Sequence, residues 1–160
     1  MTKQEYKDIY DVVGAAMEVY NTLGRGMAEA IYQEALAIEM RRRGMIAERE
    51  KQLKLYYKDN LLEKTYYADF CYKGVIIELK SVDDINSDHR AQLFNYMRIT
   101  KKNRGLLLNF GEKSLRAERY LYISEDDIDF VEGHLVCELQ VRLADETLMH
   151  IAHQIAGVAL

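Results

Sequence analysis

Apolar positions in the first forty residues recur with the spacing of helices. Between residues 5 and 20 they return every three or four positions, which predicts an amphipathic helix. Two glycines within residues 21–26 break this pattern. A second helix is predicted from about residue 27 to 43, before a glycine stop at Gly44. We therefore expect two helices ahead of the first strand.

Three shorter segments with strand character come next, and the last two are rich in aromatic and β-branched residues. A strand is predicted around residues 46–57, and two more at 68–72 and 75–80. The last two are joined by Lys73-Gly74, which has the length and the glycine of a two-residue hairpin loop. The three runs predict an antiparallel meander.

The helical pattern then returns once more. Residues 86–88 supply capping side chains for a predicted helix at 89–100, and an apolar strand follows at 106–110. A strand, a helix and a strand in this order predict a parallel crossover. An edge strand is expected near 119–123. The chain is thus predicted to be a single α/β domain over residues 1–160, with a mixed sheet flanked by helices.

Residues 124–160 carry a different signal. Apolar residues spaced four and three apart predict a C-terminal helix with a heptad-like stripe. We expect this helix to bury its apolar stripe by docking on the domain. A homodimer through this helix is the alternative. The stripe consists of Ala144, Leu148, Ile151, Ile155 and Val158.

Composition narrows the class of protein. With 49% hydrophobic and 30% charged residues, the 160-residue chain fits one globular domain with a core. No run approaches membrane-spanning length, and we expect a cytoplasmic protein without a membrane partner. Cys71 and Cys137 lack the spacing of a disulfide framework or a zinc site. The net charge of -4 argues against a strongly basic nucleic-acid clamp but allows local phosphate contacts.

Two acids are brought together by the hairpin. If paired residue numbers sum to 147, Asp69 lies opposite Glu78, and their repulsion calls for a shared proton, a basic neighbour or a divalent cation. Lys80 projects from the same face as Glu78. The unbroken apolar run at 75–77 predicts a strand covered on both sides, where charges are costly unless used. A solvated strand face with a weak surface ion pair is the structural alternative.

Further polar residues fall where they could join this acid pair. Gln92 and Tyr96 are four apart on one face of the next helix, and each can donate a hydrogen bond to a phosphate oxygen or to a metal-bound water. Glu29 lies in the first turn of the second helix, where the helix dipole favours a carboxylate. His89 is interpreted as a cap-region residue, with a substrate contact as the alternative.

The segment Gly26-Met27-Ala28-Glu29-Ala30-Ile31-Tyr32 resembles the motif that names the GxxExxY protein family, which is similar to the PD-(D/E)xK nuclease superfamily. Downstream, Gln92-Leu93-Phe94-Asn95-Tyr96 resembles the QxxxY motif of RecB and Cas4 type nucleases. The resemblance covers about residues 5–120. Its charged members occur in the expected order, Glu29, Asp69, Glu78 and Lys80.

One position departs from the superfamily pattern. Ala68 stands where the superfamily name has proline, although Asp69 itself is present. The resemblance implies a restriction-endonuclease-like three-layer core over about residues 5–123, with a C-terminal extension at 124–160.

The resemblance also implies roles for the site residues. Asp69, Glu78 and the main-chain carbonyl of Leu79 would bind Mg²⁺ or Mn²⁺, and Glu29 would complete the metal shell. Lys80 would orient or activate the attacking water and stabilise charge on the phosphate. The remaining two residues, Gln92 and Tyr96, would hold the substrate backbone or tune the site.

The function expected from this resemblance is metal-dependent hydrolysis of nucleic-acid phosphodiesters, with DNA as the favoured partner. A catalytically silent nuclease-fold module that binds nucleic acid or protein is the main alternative. Two others remain open: an acid/base enzyme using Asp69 and Glu78 without metal, and an interaction protein that dimerises through its tail.

Overall fold

Helices form where the sequence supplies caps and an apolar face. The computed structural model describes residues 2–121 and the backbone of a short strand at Val136–Cys137. Helix α1 spans Lys3–Leu23, α2 spans Glu29–Arg42 and α3 spans Ser87–Thr100. The three helices predicted within residues 2–121 are confirmed.

The start of α3 depends on a reciprocal cap. Asn86 accepts hydrogen bonds from the backbone amides of Asp88 and His89, and Nδ1 of His89 accepts one from the amide of Asn86. These bonds satisfy amides that the first turn leaves without partners. The cap-region interpretation of His89 is therefore confirmed, and the helix begins two residues before the predicted start.

Six strands form one mixed sheet, and two more form a separate hairpin. The sheet order is β1-β4-β5-β6-β7-β8, in which β5 and β6 are parallel and the other neighbours antiparallel. β2 and β3 pair only with each other. The strands are β1 Glu48–Leu53, β2 Tyr56–Tyr57, β3 Asn60–Leu61, β4 Tyr66–Tyr72, β5 Val75–Lys80, β6 Arg104–Asn109, β7 Arg116–Leu121 and β8 Val136–Cys137.

Two predictions about strands need correction. The run at 46–57 was predicted as one strand but divides into β1 and β2, because the chain leaves the sheet after Leu53 and forms the hairpin. β7 was predicted near 119–123 at the edge, but it begins at Arg116 and β8 pairs outside it. A two-residue partner strand carries too little pattern to be recognised from sequence.

The β4–β5 hairpin has the predicted register. Lys73 and Gly74 both have positive φ, 46° and 80°, as a two-residue type I′ loop requires. The pairs Phe70–Ile77, Cys71–Ile76 and Tyr72–Val75 all sum to 147. The paired positions end there, one step before the predicted opposition of Asp69 and Glu78.

The parallel crossover is also confirmed. β5 pairs with β6 from Val75–Arg104 to Lys80–Asn109, and α3 forms the connection. α3 lies directly on β6 at Gly105, where an added Cβ would collide with Met97 and crowd Leu93.

Hydrophobic residues fill both faces of the sheet and define three layers. One face of the sheet packs against α1 and α2, and the other packs against α3. All six residues of β5 are buried, as its unbroken apolar run predicted. The restriction-endonuclease-like three-layer arrangement is confirmed.

The predicted C-terminal helix and its homodimer seam lie outside the described residues. Of the two cysteines, Cys71 is a free thiol. Within residues 2–121, no helix is long and apolar enough to cross a membrane.

Candidate active site

The last residues of β5 form a buried ion pair. Glu78 and Lys80 are 3% and 8% exposed, and Nζ of Lys80 donates to Oε1 of Glu78 over 2.8 Å. The other carboxylate oxygen of Glu78, Oε2, is buried and has no hydrogen-bond partner; no other buried side-chain polar atom of the described residues lacks one. A buried oxygen without a donor is costly unless a proton or a cation satisfies it.

Asp69 lies where the β1–β4 ladder is interrupted. Its neighbours in β4 pair with β1, but Asp69 and the opposing Glu50 do not, and Glu50 has a left-handed φ of 49°. The strand also changes face here: Ala68 packs on the α3 side and Phe70 on the α1 and α2 side. Irregular backbone of this kind re-aims side chains and is frequent beside active sites.

Both oxygens of Asp69 accept hydrogen bonds. Oδ2 accepts from the backbone amide of Leu79 over 2.7 Å, and Oδ1 accepts from the side chain of Gln33 over 2.7 Å. The first bond ties Asp69 to β5 between Glu78 and Lys80. The predicted approach of the acids therefore rests on a side-chain bond, since the backbone ladder has already ended.

Two residues that hold Asp69 were missed from sequence. Gln33 is buried on α2, and its amide oxygen accepts two hydrogen bonds from the guanidinium of Arg49 on β1, at 2.8 and 3.1 Å. Gln33 follows Glu29 by four positions, so the two share one helix face, and this spacing was the available signal. The residues around Arg49 in the sequence gave no indication that it contacts the site.

Glu29 is half-buried at the start of α2. Burial raises the pKa of its carboxyl; the charge of Lys80 opposes this shift and that of Asp69 adds to it. Glu29 thus belongs to the same electrostatic neighbourhood as the two β-strand acids.

Burial and mutual repulsion keep protons on this cluster. Burial, followed by the charge of Asp69, raises the pKa of Glu78 to about 7, although Lys80 opposes the shift. Burial also raises the pKa of Asp69 despite its hydrogen bonds. Burial opposes the charge of Lys80, but Glu78, Glu29 and Asp69 outweigh it and raise the lysine pKa. Without a cation, the site holds a charged lysine among acids that are hard to ionise together.

Gln92 and Tyr96 meet at the edge of this cluster. Nε2 of Gln92 donates to the hydroxyl of Tyr96 over 2.9 Å. Burial raises the pKa of Tyr96, and the charges of Glu78 and Asp69 add to the shift. The ring of Tyr96 also lies 5.9 Å from that of Tyr66. The charges of Glu78 and Asp69 therefore reach the Gln92–Tyr96 pair, whereas His89 takes part in the α3 cap.

The fit to a metal ion is partial. Among residues 2–121, no three His, Cys, Asp or Glu side chains are arranged around one point as metal ligands. The donor set is nevertheless oxygen-rich, as Mg²⁺ and Mn²⁺ prefer, and Oε2 of Glu78 needs a partner. The acids therefore match a divalent cation in their ligand chemistry, although three of them do not surround one point.

The three-layer core, the acid pair and the following lysine characterise one class of hydrolytic fold. Residues 6–120 match the model of the PD-(D/E)XK nuclease superfamily. The match covers more than half of the chain, and the chain belongs to this superfamily. Searches of curated proteins and of solved structures gave no significant match.

Proposed function

We propose that the chain is a nuclease that uses Mg²⁺ or Mn²⁺ to hydrolyse nucleic-acid phosphodiesters. The observation that carries this proposal is the buried oxygen Oε2 of Glu78, which has no donor and lies in a cluster with Asp69 and Lys80. In a member of a nuclease superfamily, such an oxygen suits the role of a ligand to a divalent cation.

Asp69, Glu78 and the carbonyl of Leu79 would hold the ion, and Glu29 would complete its shell directly or through water. A divalent cation there would polarise the phosphate and neutralise charge that builds up during hydrolysis. The hydrogen bonds from Gln33 and Leu79 keep the Asp69 carboxylate at the end of β5.

Lys80 is best suited to stabilise charge. The surrounding acids raise the pKa of Lys80, which favours its protonated form. If Glu78 bound a divalent cation, the ammonium of Lys80 could donate a hydrogen bond to a phosphate oxygen. As a base, Lys80 would first have to lose its proton. Gln92 and Tyr96 present polar groups beside it and would position the substrate backbone.

Three finer statements belong to the same proposal. DNA is the favoured nucleic acid on the resemblance described above, and a cytoplasmic location on the composition. For the C-terminal segment, docking of the predicted helix on the domain is favoured, and a homodimer through that helix is the alternative.

The test is divalent-dependent cleavage of labelled single- and double-stranded DNA and of RNA. Glu78→Gln and Lys80→Ala should each lower the rate at least about 100-fold, the scale for losing one group that stabilises the transition state. Glu34→Gln, an exposed glutamate on α2, is the matched control and should cleave like the native chain. Calorimetric titration with Mn²⁺ should show saturable binding that Asp69→Ala abolishes.

Two of the alternatives predict distinct results. Mn²⁺ binding without cleavage of any of the three substrates would favour the catalytically silent module. Cleavage that survives excess chelator would favour metal-free acid/base chemistry and overturn the proposal.

A further inference from the structure

The β2–β3 hairpin exposes an unusual amount of aromatic surface. Tyr56 and Tyr57 of β2 are 58% and 64% exposed, and Leu61 of β3 is 52% exposed; Tyr67, near the start of the adjoining strand β4, is 54% exposed. A hairpin of two-residue strands is marginal by itself, and these rings add little packing to it. Exposed apolar residues that contribute little to stability are candidates for binding another molecule.

Lysines accompany these rings. Lys54, Lys58 and Lys64 are all exposed, in a chain whose net charge is -4. The ammonium of Lys58 lies 5.6 Å from the centre of the Tyr57 ring, and that of Lys64 lies 5.4 Å from the centre of the Tyr66 ring. Aromatic faces beside ammonium groups match a polynucleotide, in which each base is joined to a phosphate.

The hairpin is continuous with the candidate active site. It is inserted between β1 and β4, directly beyond the pair Leu53–Tyr66. Tyr66 contacts Tyr96 ring to ring, and Asp69 follows three residues later, about 10 Å along the strand. One strand, β4, therefore links the hairpin to Asp69.

We propose that this hairpin is a stacking platform that binds unpaired bases and leads single-stranded nucleic acid to the site. The inference deepens the proposed nuclease function and rests on it. In a duplex, the faces of the bases are already stacked on one another, so only unpaired bases can stack on Tyr56, Tyr57 or Tyr67. The lysines would meet the phosphates between those bases.

The test measures binding in excess EDTA, so that divalent-dependent cleavage cannot contribute. Fluorescence anisotropy with labelled 15-nucleotide oligo(dT), oligo(U) and a 15-base-pair duplex should show at least about tenfold tighter binding of a single strand. Comparing the two single strands distinguishes DNA from RNA. Tyr56→Leu/Tyr57→Leu retains apolar area but removes both aromatic faces, and should weaken single-strand binding about tenfold or more.

Tyr10→Leu is the matched control, since Tyr10 is 45% exposed on α1 and should be dispensable. Lys58→Gln and Lys64→Gln should each reduce the slope of the logarithm of the binding constant against the logarithm of salt concentration by somewhat less than one. Lys3→Gln should leave that slope unchanged. Tyr56 and Tyr57 are neighbours on a strand and point to opposite faces, so the single variants show which face binds.

Three results would overturn this inference: equal or tighter binding of the duplex, unchanged binding by the tyrosine double variant, or a native oligomer that this variant converts to monomers without loss of oligonucleotide binding. The last result would assign the patch to a second copy of the chain. Single-strand binding that depends on the tyrosines, without cleavage in Mg²⁺ or Mn²⁺, would instead support the platform and reject the nuclease.

Discussion

Glu78 and Glu118 occupy one row of the sheet and have opposite environments. Both pair with Leu107 of the strand between them, so they lie two strands, roughly 9–10 Å, apart. Both are buried, at 3% and 1% exposure. Each has a basic residue two positions away on its own strand, Lys80 or Arg116.

Their hydrogen-bond partners differ. Arg90 of α3 donates to both oxygens of Glu118, at 2.7 and 2.8 Å, and Arg116 and Tyr120 donate as well. Glu78 has only Lys80. Both carboxylate oxygens of Glu118 accept hydrogen bonds, whereas Oε2 of Glu78 accepts none from the described residues.

The same contrast appears in their acidity. Burial opposes ionisation of Glu118, but the hydrogen bonds from Arg90 and Tyr120 outweigh it and lower its pKa. Burial raises the pKa of Glu78 to about 7, because Lys80 alone does not compensate for the desolvation and the neighbouring Asp69. Burial of an acid therefore does not by itself mark a functional site, whereas burial without enough hydrogen-bond donors does.

The largest expected difference is in stability when each acid is replaced by its amide. Glu118→Gln removes the charge that two guanidinium groups surround, and should lower the free energy of unfolding by about 3 kcal/mol. Glu78→Gln replaces an acid that burial and Asp69 make hard to ionise, and should raise the free energy of unfolding by about 1–3 kcal/mol at pH 7. Urea unfolding at pH 7 in chelator measures both values. Equal losses would mean that both acids serve the fold.

The pH dependence of stability should have opposite signs at the two positions. Glu78 has a raised pKa, so its contribution to stability is complete below its ordinary value of 4.5 and is lost as pH rises through about 7. Glu118 has a lowered pKa, so its contribution is present above 4.5 and is lost as pH falls through the folded-state value.

In chelator, the free energy of unfolding of Glu78→Gln should therefore rise by about 1–3 kcal/mol relative to that of the native chain between pH 4.5 and 8. Glu118→Gln should instead lose stability relative to the native chain as pH rises from the acid side. Unfolding curves across this pH range, with Glu34→Gln as the control, measure both trends. Slopes of the same sign would remove the electrostatic distinction between the two glutamates.

The smallest effect concerns the residue that positions Asp69. Gln33→Leu removes the donor to Oδ1 and should weaken Mn²⁺ binding about tenfold, as loss of a partner that orients a ligand does. Gln4→Leu is a matched control, because Gln4 makes the same kind of bond to Asp8 on α1. Calorimetric affinities that fall equally in both variants would show that Gln33 acts through general stability.

Much of the fold could be predicted because its signals are local. Helix periodicity, the cap at Asn86 and the Lys73-Gly74 loop depend on a few neighbouring residues, and each was confirmed. The errors fell where pairing was decided elsewhere. β1 and β2 were merged because the departure from the sheet after Leu53 leaves the apolar pattern intact. β8 was missed because two residues show no period.

The candidate site was predicted in part. Its named side chains came from an ordered set of motifs, but Gln33 and Arg49 reach Asp69 from two other elements. Such support depends on which helix and strand pack together, and no local spacing in β4 or β5 specifies it.

Local sequence signals specified the three helices, the hairpin register and the order of the acids in a chain that belongs to a nuclease superfamily. Which buried glutamate keeps an oxygen without a donor depends on tertiary packing. Glu78-Leu79-Lys80 and Arg116-Ala117-Glu118 have the same alternation of acid and base. They differ because α3 brings Arg90 to Glu118, 28 positions away in the chain, and brings no donor to Oε2 of Glu78 among the described residues. Hydrogen-bond satisfaction is a property of everything packed around an atom, and strand spacing alone cannot specify it.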